Sequence, residues 1–204
     1  MGERIVSFLE GFISNKYLLC AVLSAFPVTE IKGGILCAAV ADVNLFLAFL
    51  CCFGASVLLS AALCALFPRL LLFAERAPKI RKVTSFLTDR LEKKAELISS
   101  EAAKNAEKAK GRKVFALFAF VALPLPLTGV WAGALLAAIL RLDYKNALFA
   151  LTAGNFAAGG IVLFVALAAG ARADAVLNVF LFLALAALLF AIGKWALGKK
   201  RKAV

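Results

Sequence analysis

Apolar residues dominate the chain in five long stretches separated by short charged segments. Val43 to Pro68, Val114 to Leu140, Asn146 to Ala171 and Ala175 to Gly193 carry no charge, and Tyr17 to Ala41 is interrupted only by Glu30 and Lys32. Each reaches or exceeds the ~18 residues expected of a membrane-spanning candidate. The pattern predicts full spans at 43–67, 146–170 and 175–197. Ahead of them, "MGERIVSFLEGFISNK" places Ile5, Phe8, Leu9, Phe12 and Ile13 at helical spacing. That suits an interfacial helix over 1–16, and the segment lacks the apolar core of a signal peptide.

Two stretches are broken in their middles. Residues 114–140 contain Pro124, Pro126 and Gly129, and residues 17–41 contain Pro27 followed by Gly33 and Gly34. Proline removes a backbone donor and disfavours helix at the residue before it. Arms of about 10–12 residues reach only about half the hydrocarbon thickness. A re-entrant hairpin, turning back at membrane depth, is therefore expected at each break. Irregular backbone at that depth survives only inside protein or beside a water-filled cavity.

Charge fixes the expected sidedness. Residues 68–113 hold 13 Lys/Arg against 6 Asp/Glu, and the tail at 198–204 adds four more Lys/Arg. Basic segments flanking apolar spans mark the cytoplasmic side, so the loop and the C-terminus are both placed there. Three apolar runs separate them, and two points on one side require an even number of crossings. The run 114–140 is thus the one expected to enter and return. Within the loop, Leu87, Leu91, Ala95 and Ile98 recur at helical spacing and predict an amphipathic surface helix. Its Lys-rich end suits anionic lipid. The net charge of +12 is read as topology, not as nucleic-acid binding.

The breaks also repeat. "PVTEIKGGILCAA" from Pro27 and "PLTGVWAGALLAA" from Pro126 agree at six of thirteen positions, an offset of 99. Each is followed by a long span. With one hairpin entering from each side, the expected fold is an all-α integral membrane protein. It comprises two inverted copies of a re-entrant hairpin plus transmembrane helix (17–67 and 114–171) and an additional C-terminal transmembrane helix. Secondary transporters place their sites between such discontinuous helices.

Candidate chemistry concentrates at the first break. Charges at membrane depth cost ~2.5–3.5 kcal/mol on insertion scales and usually mark a pathway or a pair. Glu30 is a candidate proton carrier and Lys32 an anion attractor. As i and i+2 they do not face each other on a regular helix, so a direct pair needs the break itself. Thr29 and Thr128 stand where the second arms restart, where a hydroxyl can cap free N–H groups beside an anion-attracting helix end. Trp131 and Asn155 are further candidates for substrate or ion contact, with an interface anchor and a helix bridge as their structural readings. Gly33, Gly34, Gly129 and Gly133 permit close packing at the breaks. Arg141, Asp143 and Lys145 form a charged turn. The chain has no His, and its five Cys lack metal-ligand spacing. No metal, cofactor or enzymatic constellation is expected.

The cores "FPVTEIKGG" and "LPLPLTGVWAGALLA" resemble those of the bacterial small multi-drug export protein family, over roughly residues 17–170. The chain is also similar, more distantly, to the DedA/VTT superfamily of lipid transporters and scramblases, through Pro27 shortly before Glu30. That resemblance implies opposed re-entrant hairpins and lipid-phosphate substrates, although the arginines usual around the second DedA break are missing here. The expectation is a transporter in the bacterial cytoplasmic membrane, coupled to protons or sodium and moving an anionic amphiphile such as a lipid-linked phosphate. Proton-coupled multidrug efflux, passive lipid scrambling and a non-transporting scaffold stand as alternatives, and self-association as a homo-oligomer is open.

Overall fold

The computed structural model describes residues 6–9, 11–74 and 106–200, and no strand occurs among them. From Lys16 on, the described residues form these α-helices: α1 (Lys16–Ser24), α2 (Glu30–Val40), α3 (Leu45–Ala74), α4 (Ala106–Ala122), α5 (Val130–Ile139), α6 (Tyr144–Ala169) and α7 (Ala173–Lys200). A 3-10 turn at Gly170–Arg172 joins the last two. Both interrupted stretches break where the prolines fall, between α1 and α2 and between α4 and α5. The expected surface helix around Leu87 to Ile98 lies outside the described residues, as do the end of the basic tail and most of the first few residues. Of the expected N-terminal helix, one helical turn is seen at 6–9. Phe8 and the following Phe12 stack edge-to-face at 5.2 Å.

The chain forms two compact units. The first comprises Met1–Ser56, Pro124–Leu127 and Ala158–Val204, and the second Val57–Leu123 and Thr128–Ala157. In the first, Cys20, Ile31, Ile35, Phe49, Val162 and Phe180 build the core. In the second, Leu63, Leu117, Val121, Val130, Ala134 and Leu151 do so.

Local chemistry sets the helix ends. The Asn15 side chain accepts from the N–H groups of Tyr17 and Leu18 at 3.0 and 3.2 Å. Asn44 does the same for Phe46 and Leu47, both at 3.1 Å, and Asp143 accepts from the Asn146 N–H at 3.3 Å. Each satisfies donors that the first helical turn leaves without partners. Helices α2 and α5 end alike: Asp42 and Arg141 take φ of 52° and 53°. The following N–H groups reach back from Val43 to Ala38 and from Leu142 to Ala137 at 3.3 and 3.1 Å. This is the Schellman closure, here with non-glycine residues in the left-handed position. Ala41→Cys37 recurs as Leu140→Leu136, and Ala48→Asn44 as Ala147→Asp143. All these pairs stand 99 residues apart, the offset of the sequence repeat.

Each pair of short helices folds back as a hairpin. The Lys16 ammonium, at the start of α1, donates to the Ala41 carbonyl beyond the end of α2 at 2.9 Å. The arms meet across small residues: a Cβ on Gly34 would lie 2.7 Å from the Cys20 carbonyl oxygen and 2.9 Å from the Cys52 sulfur. At Gly133 it would lie 2.5 Å from Leu151 and 2.7 Å from Val121.

The first arm of the second hairpin is already helical at Ala106, eight residues ahead of the apolar boundary at 114. Its opening sequence, AEKAKGRK, is rich in good helix formers, which lets helix extend ahead of the apolar run. The apolar run marks only the change of solvent. Helix α3 likewise continues through Pro68 to Ala74, beyond the expected end at 67.

Among the described residues, two helices are long and apolar enough to cross a membrane, Leu45–Phe73 and Tyr144–Ala169, and only 28% and 39% of their most apolar windows are buried. The core helix of a soluble protein would be mostly covered. Here Leu58, Phe73, Phe149 and Phe164 stand 66–74% exposed, an apolar surface that suits lipid and is costly in water.

These contacts predict opposite outcomes for two glycines. Gly34→Ala forces the arms of the first hairpin apart and should cost ~1–3 kcal/mol. Gly54→Ala meets nothing within 4 Å and should be neutral or stabilising by up to ~1 kcal/mol. Unfolding midpoints of the two variants in detergent measure the difference.

The charged helical break

Helix α1 closes with two short turns, Ala25 N–H to Val22 at 3.0 Å and Phe26 N–H to Leu23 at 3.2 Å. Pro27 follows, and Glu30 opens α2 with its own N–H bonded to the Phe26 carbonyl at 3.0 Å. Its φ is +50°, a left-handed conformation that costs a residue with a Cβ ~1–2 kcal/mol. On a regular helix, side chains two apart diverge. With the first of them in the left-handed region, the Glu30 Oε2 and Lys32 Nζ atoms meet at 3.0 Å.

The pair is buried, Glu30 at 2% and Lys32 at 0% exposure. The ammonium also donates to the Leu125 main-chain carbonyl at 2.7 Å. Leu125 lies in the break between α4 and α5, and its loop, Pro124–Leu127, belongs to the same unit as Glu30 and Lys32. Lys32 is thus held by one charged and one neutral acceptor. The latter is a main-chain carbonyl in the interruption between α4 and α5. As an ion pair the site is neutral overall. It can take up a proton on the carboxylate, or exchange either charged partner for an ion of the same sign.

The two threonines act otherwise than expected. Thr29 stands at the N-cap of α2 without a side-chain cap bond, and its hydroxyl donates to the Leu23 carbonyl. Thr128 donates to the Leu123 carbonyl at 2.9 Å, and Gly129, not Thr128, holds the N-cap of α5. Both hydroxyls therefore tie the second arm to the carbonyl end of the first. A small polar side chain satisfies whichever orphan group is nearer. At the first break that is a C=O, because the turn brings the preceding helix end close.

The remaining candidates are placed as follows. Gly33 fits tightly, since a Cβ there would lie 2.6 Å from that of Thr29. Trp131 is half-buried against Phe67, ring centres 6.4 Å apart at 59°. Asn155 is fully buried, and neither its Nδ2 nor its Oδ1 has a hydrogen-bond partner among the described residues. Thr128, Trp131 and Asn155 belong to the second unit and Glu30, Lys32 and Thr29 to the first. In the charged turn, Asp143 caps α6, accepts from the Asn146 amide at 2.7 Å and pairs with Lys110 at 2.9 Å. Sequence reasoning missed the Leu125 carbonyl, for which no side-chain signal exists. It also missed buried Ser56 and Ser60, whose i, i+4 spacing within an apolar run was a readable signal.

Two predictions follow from this geometry. Lys32→Met leaves a buried carboxylate without its cation and should cost ~3–5 kcal/mol of stability, with much of the loss restored by adding Glu30→Gln. A thermal double-mutant cycle in detergent measures that coupling. Separately, the bonds from Lys110 and then Asn146 hold the Asp143 carboxyl down from 3.8 to about 2. A lowered folded-state value stabilises above the unfolded value and loses that effect as pH falls. The advantage of wild type over Asp143→Asn should be full above pH ~4, fade toward pH ~2 and shrink with salt.

No curated protein and no solved structure matches the chain significantly. A family profile does match, over residues 30–161, which takes in α2 to α5 with the second break, and most of α6. The region begins at Glu30, the residue whose backbone and carboxylate create the buried pair. Together with the lipid-suited surfaces of α3 and α6, the match shows that this chain is a membrane protein belonging to the family of small multi-drug export proteins.

Proposed function

We propose that the protein is an ion-coupled membrane transporter whose coupling site is the Glu30–Lys32 pair. The observation that carries this reading is the burial of both charges at a helix break, with Lys32 also bonded to the Leu125 carbonyl of the other break. A structural pair in an apolar setting is weakly stabilising at best, because desolvation opposes the attraction. Ionisable groups retained at membrane depth more often serve a pathway. Protonating Glu30 discharges the carboxylate and loosens its hold on Lys32, which is free to meet an anion in its place. On this reading the substrate is an anionic amphiphile, such as a lipid-linked phosphate.

The architecture proposed around the site is a pair of re-entrant hairpins entering from opposite faces as inverted copies. Supporting it are the shortness of α1, α2 and α5 and the hydrogen bonds repeated at an offset of 99 residues. A second reading, export of lipophilic cations against protons, is favoured by the family description. It gains from the neutrality of the pair, since Lys32 does not face an incoming cation with its charge uncompensated.

Purified protein in proteoliposomes, with an internal pH dye, separates these readings. Addition of a short-chain prenyl phosphate should produce proton movement in wild type and none in Glu30→Gln or in the folded Glu30→Gln/Lys32→Met double variant. Proton movement driven by ethidium in place of the prenyl phosphate selects the second reading. Wild-type coupling in Glu30→Gln would remove Glu30 from the mechanism.

A further inference from the structure

The buried amide of Asn155 has no role in the packing described above. It lies near the middle of α6 (Tyr144–Ala169), with about 17 Å of helix before it and about 21 Å after. In a helix that crosses a bilayer with a core of ~30 Å, that is close to the midplane. The side chain is 0% exposed, and neither amide atom meets a protein partner among the described residues. A buried amide without partners is costly in water-free surroundings, and leucine has the same branched heavy-atom outline without that cost. The neighbouring position shows how tightly the helix is approached: a Cβ on Gly154 would lie 2.8 Å from the Phe118 carbonyl oxygen and 2.9 Å from Val121. Helix α4 thus packs against α6 beside Asn155 and leaves its amide without a bond.

We propose that Asn155 is a binding residue for the polar head of the transported molecule. The inference rests on the transport reading. An amide offers two donors and one acceptor. It suits a head that both accepts and donates hydrogen bonds, such as a phosphate monoester or a hydroxylated group. Being uncharged, it can hold that head without the insertion cost of an ion and without fixing the sign of the substrate's charge.

The test compares wild type, Asn155→Leu and Asn155→Asp as full-length protein. Unfolding midpoints in detergent are measured without ligand, and proteoliposome transport is measured with the short-chain prenyl phosphate and with ethidium. The expected result is a higher midpoint for Asn155→Leu together with at least about tenfold weaker apparent affinity for the transported probe, the size of one lost buried hydrogen bond. Asn155→Asp should weaken the phosphate probe further by like-charge repulsion and spare ethidium. A lowered midpoint for Asn155→Leu overturns the proposal, because the amide then serves the fold. A raised midpoint with unchanged probe affinity also overturns it, as when the amide holds only water. If wild type moves neither probe, the transport reading fails first and this inference with it. If wild type transports and Asn155→Leu transports equally, this inference alone fails.

Discussion

The first unit is organised around the need to satisfy one buried ammonium. Lys32 has no exposure, and an unpaired charge in such a place would not survive folding. Two of its acceptors come from different parts of the chain. One is the carboxylate two residues earlier, brought round by a left-handed backbone. The other is the carbonyl of Leu125, 93 residues onward. Both acceptors depend on broken helices. Without the first break, Glu30 and Lys32 would point apart. Without the second, the Leu125 carbonyl would be spent inside a helix.

This dependence explains why strain is tolerated here. Glu30 and Leu127 both take positive φ, at 50° and 68°, and neither residue is suited to that region. The cost at Glu30 is offset by a charge-assisted bond that no regular helix could form. Strain held by surrounding bonds is more often found at switching sites than in passive scaffold. The threonine ties are consistent with that view. Each fastens the restart of a helix to the end of the arm before it, so the backbone around the charge is held even where helical bonding lapses.

Much of this was legible in the residues, and the failures are instructive. The prolines and glycines located both breaks, because their backbone restrictions are local and do not depend on tertiary context. The two charges were conspicuous against an apolar background. Their direct pairing was readable only as a condition on the break, since it hangs on a single φ angle that no side-chain pattern encodes. The role of Leu125 was invisible, as any residue supplies a main-chain carbonyl. Thr29 was misread because a hydroxyl near a helix start can turn to either the N–H groups ahead or the carbonyls behind. Proximity, set by a tight turn, made the choice. The helix ahead of Val114 in α4 was missed for another reason: hydropathy marks the change of solvent, and good helix formers carry a helix across it.

The two breaks share their backbone chemistry more closely than their side chains. Both carry a threonine bond to the preceding arm, the same closure after the second arm and an Asn or Asp cap at the next helix. They differ at the restart itself. The first places Glu30, charged and left-handed, where the second places Gly129, and Lys32 where the second has Trp131. A device kept twice in backbone form but charged once cannot act symmetrically. The charged copy needs an additional acceptor, and the uncharged one supplies it from its loop. That division suits a transporter better than a scaffold. A purely structural repeat gains little from burying two charges in one copy, because desolvation opposes their attraction.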